Sequence, residues 1–228
     1  MSPSPEATGR VLVVAVLASA MVLLVSGVIG WNLGSRDGMR AEEPPSVPTS
    51  VPVVVFLGDS YAEGVGASSI GKRWTTLGSA AMGWSEINAS ASGMGYTTTY
   101  QGLPTNYSTR VDVVAAAKPD IVVVSGGRND YQSADITAAA VSLFEKVRAA
   151  APDARLVVIS PIWDSTPVPG GFVSVTDEVR RAADTAGAEY IDVGQPLGGH
   201  PDMIEPDGLH PNDLGHRAIA SAVVQHLS

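Results

Sequence analysis

The stretch VVVFLGDSYAEG, residues 53–64, decides how the chain folds. Its β-branched and aromatic start predicts a strand buried on both faces, because such strands lose the alternation of polar and apolar residues. Gly58 then permits a sharp turn, and Asp59 or Ser60 can cap a following helix. Ser60 is therefore either a helix cap or a nucleophile. The tripeptide alone does not separate these interpretations, because short motifs often match by chance.

Beyond this stretch the chain alternates strand-like and helix-like segments. The strand-like segments lie at residues 84–90 and near residues 120, 155 and 188. The helix-like segments lie at residues 134–150, 176–187 and 212–227, the second with Gly187 as its stop. We therefore expect an α/β fold, a three-layer α/β/α sandwich with a central, mainly parallel sheet. Ligands of such sheets bind beyond the carboxyl ends of the strands, so the residues after each strand are the candidates for a site.

The composition excludes several partners and chemistries. The 228 residues carry a formal net charge of -9 and no basic cluster, which argues against nucleic acid, because binding phosphates requires clustered Lys and Arg. The chain has no cysteine, which excludes disulfides, thiolate metal sites and a cysteine nucleophile. This composition is compatible with export from the cytoplasm.

Residues 11–31 form an apolar segment of 21 positions without a charged side chain. This length is enough for a helix to cross a hydrocarbon core of about 30 Å. We expect an uncleaved transmembrane signal-anchor. A cleaved signal peptide is the alternative, since residues 18–20 form an A-x-A site, although the apolar run continues for ten more residues.

A stretch rich in Pro and Ser follows the apolar segment and predicts a semi-extended spacer that packs no core. The expected organisation is a short cytoplasmic terminus, a membrane span, a linker and one domain, at residues 1–10, 11–31, 32–52 and 53–228. The domain is expected outside the cytoplasm as part of a single-pass membrane protein. Secretion after cleavage of a signal peptide is the alternative localisation.

The residues after the predicted strands suit acyl transfer. A serine such as Ser60 needs a base to accept its proton as it attacks a carbonyl carbon, and His210 is the candidate. Asp207, three residues earlier, can hold the other ring nitrogen of that histidine. Acyl transfer also needs donors aimed at the oxyanion. The backbone N–H groups of Ser60 and Gly93 and the side-chain amide of Asn129 can supply them.

Four sequence blocks occur in order: GDS at 58–60, NASASGMG at 88–95, GRND at 127–130 and DGLH at 207–210. Together they resemble the blocks of the SGNH hydrolases, the GDSL esterase and lipase family. The resemblance implies an SGNH or flavodoxin-like fold that works without a metal or an organic cofactor. It implies that Ser60 is the nucleophile and an oxyanion donor, and that Gly93 and Asn129 complete the oxyanion hole. It also implies that His210 is the base and Asp207 its partner.

Two positions in these blocks carry alternatives. Gly95 is a second glycine after Gly93 in the second block. Arg128 stands directly before Asn129, which predicts a cationic group at the rim of the substrate pocket. Its guanidinium keeps its charge and binds carboxylates or phosphates with paired hydrogen bonds, so anionic substrates should be favoured. An ion pair with a nearby carboxylate such as Asp130 is the other interpretation.

The expected function is a serine esterase that removes an acyl group, such as acetyl, from an envelope glycan, a lipid or a small molecule. Acyl transfer to a sugar is a second enzymatic interpretation. A glycan-binding module that has lost catalysis is a third, but no catalytic residue is missing. Asp207, His210 and Asp213 could instead bind a metal, although they make a thin ligand set. Acyl length depends on loops such as residues 164–175.

Overall fold

A parallel sheet forms the centre of the computed structural model, which describes residues 50–227. The strands are β1 (Val53–Gly58), β2 (Ser85–Asn88), β3 (Thr99–Tyr100), β4 (Leu103–Pro104), β5 (Ile121–Ser125), β6 (Arg155–Ile159) and β7 (Glu189–Ile191). Five of them form one sheet in the order β2, β1, β5, β6, β7, and each neighbouring pair is parallel. Strands β3 and β4 form a separate antiparallel hairpin. The predicted α/β fold with a parallel sheet is confirmed.

Helices cover both faces of this sheet. They are α1 (Ser60–Glu63), α2 (Trp74–Met82), α3 (Val111–Ala117), α4 (Ile136–Ala150), α5 (Gly170–Thr185) and α6 (Asp213–Leu227). Alternate residues of β5 enter opposite cores, because successive side chains of a strand point to opposite faces. Val122 packs in the core that contains Phe144 of α4, and Val123 packs in the core that contains Trp74 of α2 and Ile219 of α6.

One helix begins earlier than predicted. The sequence pattern placed a helix at residues 176–187 and a loop at residues 164–175, but α5 already begins at Gly170. Pro169 and the two glycines after it, at 170 and 171, favour a loop. However, the buried side chains of Phe172 and Val175 give the start of the helix an apolar face. Burial in the core therefore outweighs the low helix propensity of glycine here.

Within residues 50–227, no helix has the length and apolar character needed to cross a membrane. The transmembrane segment predicted at residues 11–31 lies outside the described residues, as does the predicted linker up to residue 49. The anchor, the cleaved signal peptide and the extracytoplasmic location stay predictions.

Candidate active site

Ser60 is the first residue of α1, and only Asp59 separates it from the end of the interior strand β1. The cap of this helix is Asp59, whose carboxylate accepts a hydrogen bond from the backbone N–H of Tyr61 at 2.9 Å. The hydroxyl of Ser60 instead lies 3.1 Å from Nε2 of His210. Asp59 therefore caps the helix, and the hydroxyl of Ser60 has a different partner.

His210 lies in a loop that precedes α6, and its ring joins Ser60 to Asp207. Its Nδ1 lies 2.6 Å from Oδ2 of Asp207. The hydrogen bond from His210 lowers the pKa of the Asp207 carboxyl to about 2, so this group is ionised at neutral pH. An ionised carboxylate only accepts hydrogen bonds, so the ring proton belongs on Nδ1. Nε2 can then accept the proton of Ser60.

The same carboxylate shapes the loop around the histidine. Oδ1 of Asp207 accepts the backbone N–H groups of Leu209 at 2.9 Å and of His210 at 3.0 Å. Asp207 therefore orients both the backbone and the ring of His210. The spacing of three residues allows both contacts, since a short side chain can bond backbone groups two and three residues further on.

Asn129 and the loop of Gly93 lie next to each other. The side-chain amide of Asn129 donates to the carbonyl of Met94 at 2.7 Å. A primary amide carries two N–H donors, so this bond leaves one for a ligand. Gly93 itself is exposed, with φ at +77°, a conformation that favours glycine. The arrangement suits two donors that face solvent at the carboxyl edge of the sheet.

The two glycines of the second block have different surroundings. A Cβ atom on Gly95 would lie 2.6 and 2.8 Å from the carboxylate oxygens of Asp130, whereas one on Gly93 would meet nothing within 4 Å. Asp130 is fully buried and accepts the backbone N–H groups of Tyr96 and Thr97, each at 2.8 Å. Gly95 therefore permits the close approach of Asp130, and Gly93 is the glycine with open space beside it.

Arg128 is paired with Asp164, not with Asp130. Its Nη2 lies 2.7 Å from Oδ2 of Asp164, and its guanidinium carbon lies 3.8 Å from the ring centre of Trp163. The arginine side chain is 17% exposed and the aspartate side chain 6% exposed. Much of the charge of Arg128 is therefore balanced inside the protein. Its role at the pocket rim stays a prediction.

The residues weighed as metal ligands do not converge. Asp213 directs its carboxylate to the loop before α2, where it accepts the backbone N–H and the hydroxyl of Ser68, both at 2.8 Å, and pairs with Lys72. Asp207 and His210 contact each other. Across residues 50–227, no group of three or more potential ligands is placed to hold a metal ion.

Two contacts near the site were not predicted. The hydroxyl of Tyr61 donates to the carbonyl of Leu209 at 2.6 Å, and the hydroxyl of Ser92 donates to the carboxylate of Glu63 at 2.5 Å. Both join α1 to a loop that is remote in sequence. Local patterns cannot reveal such pairs, and the one hint was that Tyr61 adjoins Ser60.

The chain and its fold are similar to those of known lipases and esterases. The chain is 28% identical over 221 residues to the GDSL lipase Rv0518 of Mycobacterium tuberculosis. The aligned region covers 88% of this chain and 92% of that protein. The fold is similar to that of the psychrotrophic esterase EstA from Pseudoalteromonas sp., with a TM-score of 0.63 and 19% identity over 77% of this chain and 96% of that chain.

A family two carbohydrate esterase from Clostridium thermocellum is also similar in fold, with a TM-score of 0.65 and 17% identity over 80% of this chain and 65% of that chain. At these identities, the solved structures support the fold alone. Residues 56–218 match the model of the GDSL-like lipase/acylhydrolase family, and this match includes all four sequence blocks. The chain therefore belongs to the GDSL-like lipase/acylhydrolase family and is a hydrolase of that family.

Proposed function

We propose that the protein is a serine esterase in which Ser60, His210 and Asp207 form the catalytic triad. The observation that carries the proposal is the continuous hydrogen-bonded chain from the Asp207 carboxylate through His210 to the Ser60 hydroxyl, with distances of 2.6 and 3.1 Å. This is the arrangement that nucleophilic catalysis by serine requires, because the hydroxyl is a poor nucleophile until a base takes its proton.

In the proposed reaction, Oγ of Ser60 attacks the ester carbonyl carbon while Nε2 of His210 takes the hydroxyl proton. The resulting oxyanion accepts hydrogen bonds from the backbone N–H groups of Ser60 and Gly93 and from the amide of Asn129. Removing one such donor typically raises the barrier by roughly 3 to 4 kcal/mol. His210 then protonates the leaving alcohol, and an acyl-serine forms. Water, deprotonated by His210, then attacks this ester, and His210 returns the proton to Oγ of Ser60 as the acid leaves.

For the substrate, we propose a short acyl ester, such as acetyl, on an envelope glycan, a lipid or a small molecule. The carbohydrate esterase among the structural relatives makes a sugar ester a reasonable first substrate. A panel of p-nitrophenyl esters of increasing chain length would give the acyl preference. Product analysis with added sugar would separate hydrolysis from acyl transfer, because both reactions share the acyl-serine and differ in the acceptor.

The test of the triad is the substitution Ser60→Ala, with Ser221→Ala on the exposed face of α6 as the matched control. Ser60→Ala should lose ester hydrolysis and labelling by a fluorophosphonate without a change in folding. Ser221→Ala should keep both. Labelling that persisted undiminished in the Ser60→Ala protein would exclude Ser60 as the nucleophile.

A further inference from the structure

Tyr61 connects the helix of the proposed nucleophile to the loop of the proposed base. It follows Ser60 directly, and its side chain is buried, with 6% of its surface exposed. Its hydroxyl crosses to the carbonyl of Leu209, the residue before His210, at 2.6 Å. Its ring also meets the His210 ring edge-on, with 6.2 Å between the ring centres. The side chain of Tyr61 thus contacts Leu209 and His210, the last two residues of the DGLH block.

The other backbone bonds of this turn are local. Within the described residues, the backbone N–H groups of Leu209 and His210 donate to Asp207, and the carbonyl of His210 accepts from Glu205. Asp207 is itself exposed, with 48% of its side-chain surface accessible. These bonds shape the turn but do not attach it to α1. The bond from Tyr61 does attach it, 148 residues away along the chain.

We propose that the Tyr61 hydroxyl is a positioning group that holds the His210 loop at the distance from Ser60 required for proton transfer. The proposal rests on the triad of the proposed function. Ser60 and Tyr61 are consecutive residues of α1, so a bond from Tyr61 to the base loop sets the gap that Ser60 and His210 must bridge. Proton transfer depends steeply on this gap, because a misplacement of about 1 Å can reduce a rate by roughly 100-fold.

The chemistry of the hydroxyl fits a positioning role. Burial raises the pKa of Tyr61 well above its ordinary value, so the hydroxyl stays protonated and remains a donor at working pH. Its acceptor is a backbone carbonyl, which does not titrate. Tyr61 therefore exchanges no proton during turnover and acts through the geometry of His210.

The test is Tyr61→Phe, which removes one oxygen atom and keeps the ring. Tyr96→Phe is the matched control, because the Tyr96 hydroxyl is also buried but has no hydrogen-bond partner among the described residues. Both full-length variants would be assayed with a p-nitrophenyl ester, and their active sites would be counted with a fluorophosphonate. We expect kcat per active site to fall about tenfold in Tyr61→Phe with KM little changed. Tyr96→Phe should match the wild-type protein.

Hydrogen exchange provides a second measurement on the same variant. The backbone N–H groups of Leu209 and His210 should exchange faster in Tyr61→Phe, while those of β5 should not change. An unchanged kcat per active site, or a Tyr61→Phe protein that fails to fold, would overturn the proposal. If the wild-type protein itself were not labelled, the proposed triad would fail instead, so the two failures are distinguishable.

Discussion

Asp59 is a residue of a charged type in a buried position at the end of β1. It directly precedes Ser60 and is 4% exposed. Burial raises the pKa of its carboxyl to about 6, although the hydrogen bond from Tyr61 opposes this change, and the nearby charge of Asp130 adds to it. The cap of α1 is therefore a carboxyl group that titrates within the range in which enzymes are assayed.

This pKa determines the sign of a stability effect. The ordinary value is 3.8, so between pH 3.8 and about 6 the folded chain holds a proton on Asp59 that the unfolded chain has released. Stability from this group is then fully present below pH 3.8 and is lost as pH rises through about 6. The whole effect amounts to about 3 kcal/mol.

Asp59→Asn should remove this loss while keeping an oxygen that can cap α1. We expect the variant and the wild-type protein to be similar in stability near pH 4, and the variant to be more stable by about 3 kcal/mol at pH 8. Urea denaturation across this range measures the difference, with Asp153→Asn in an exposed turn as the control. A difference that did not vary with pH would show that Asp59 is not the titrating group.

Among the structural elements, the loops after β5 and β6 form one unit beside the site. Arg128 comes from the first loop, and Trp163 and Asp164 come from the second. The guanidinium lies between the aromatic ring and the carboxylate, and one of its nitrogens, Nη1, is buried without a hydrogen-bond partner among the described residues. The ion pair with Asp164 holds the side chain of Arg128 in place, and Arg128 directly precedes Asn129 in the chain. A substitution of Arg128 can therefore test both a structural role and a role in substrate binding.

Arg128→Ala tests the predicted preference for anionic substrates. With two esters of matched length, one neutral and one bearing a carboxylate, we expect KM for the anionic ester to rise about threefold, because Asp164 already balances part of the charge. KM for the neutral ester should not change. Asp164→Asn is the matched variant and should lower KM for the anionic ester. An equal fall in kcat for both esters would instead assign Arg128 to the support of Asn129.

In the molecule as a whole, groups from four separated blocks meet at one edge of the sheet. Ser60 follows β1, Asn129 follows β5, and Gly93 lies in the loop after β2. His210 and Asp207 come from the loop before α6. Parallel strands bring their carboxyl ends to a common edge, so the topology assembles the site.

The attachment of this domain to a membrane is a prediction for the full chain. Residues 11–31 have the length and the lack of charge of a membrane span, so fractionated cells should retain the full-length protein in the membrane fraction. Extraction should require detergent and should fail with high salt or alkali. A soluble mature chain that began near residue 21 or later would replace the anchor with a cleaved signal peptide.

The sequence by itself determined the fold class, the family resemblance and the residues that the structure joins in the hydrogen-bonded chain. Local periodicity reveals strands and helices because side-chain burial follows the repeat of each element. Residue types after the strands indicate chemistry because parallel sheets place these positions together. The predicted start of α5 was wrong. The low helix propensity of glycine is a local property that the sequence shows, whereas the burial of Phe172 depends on tertiary packing.

Tertiary structure decided the contacts between segments that are distant in the chain. It assigned the partner of Arg128 to Asp164 and a bond from Tyr61 to the loop of His210. These outcomes depend on which loops pack together and on distances of a few ångströms. No local pattern carries that information, because the energy of each contact depends on burial and geometry that arise only when the whole domain has folded.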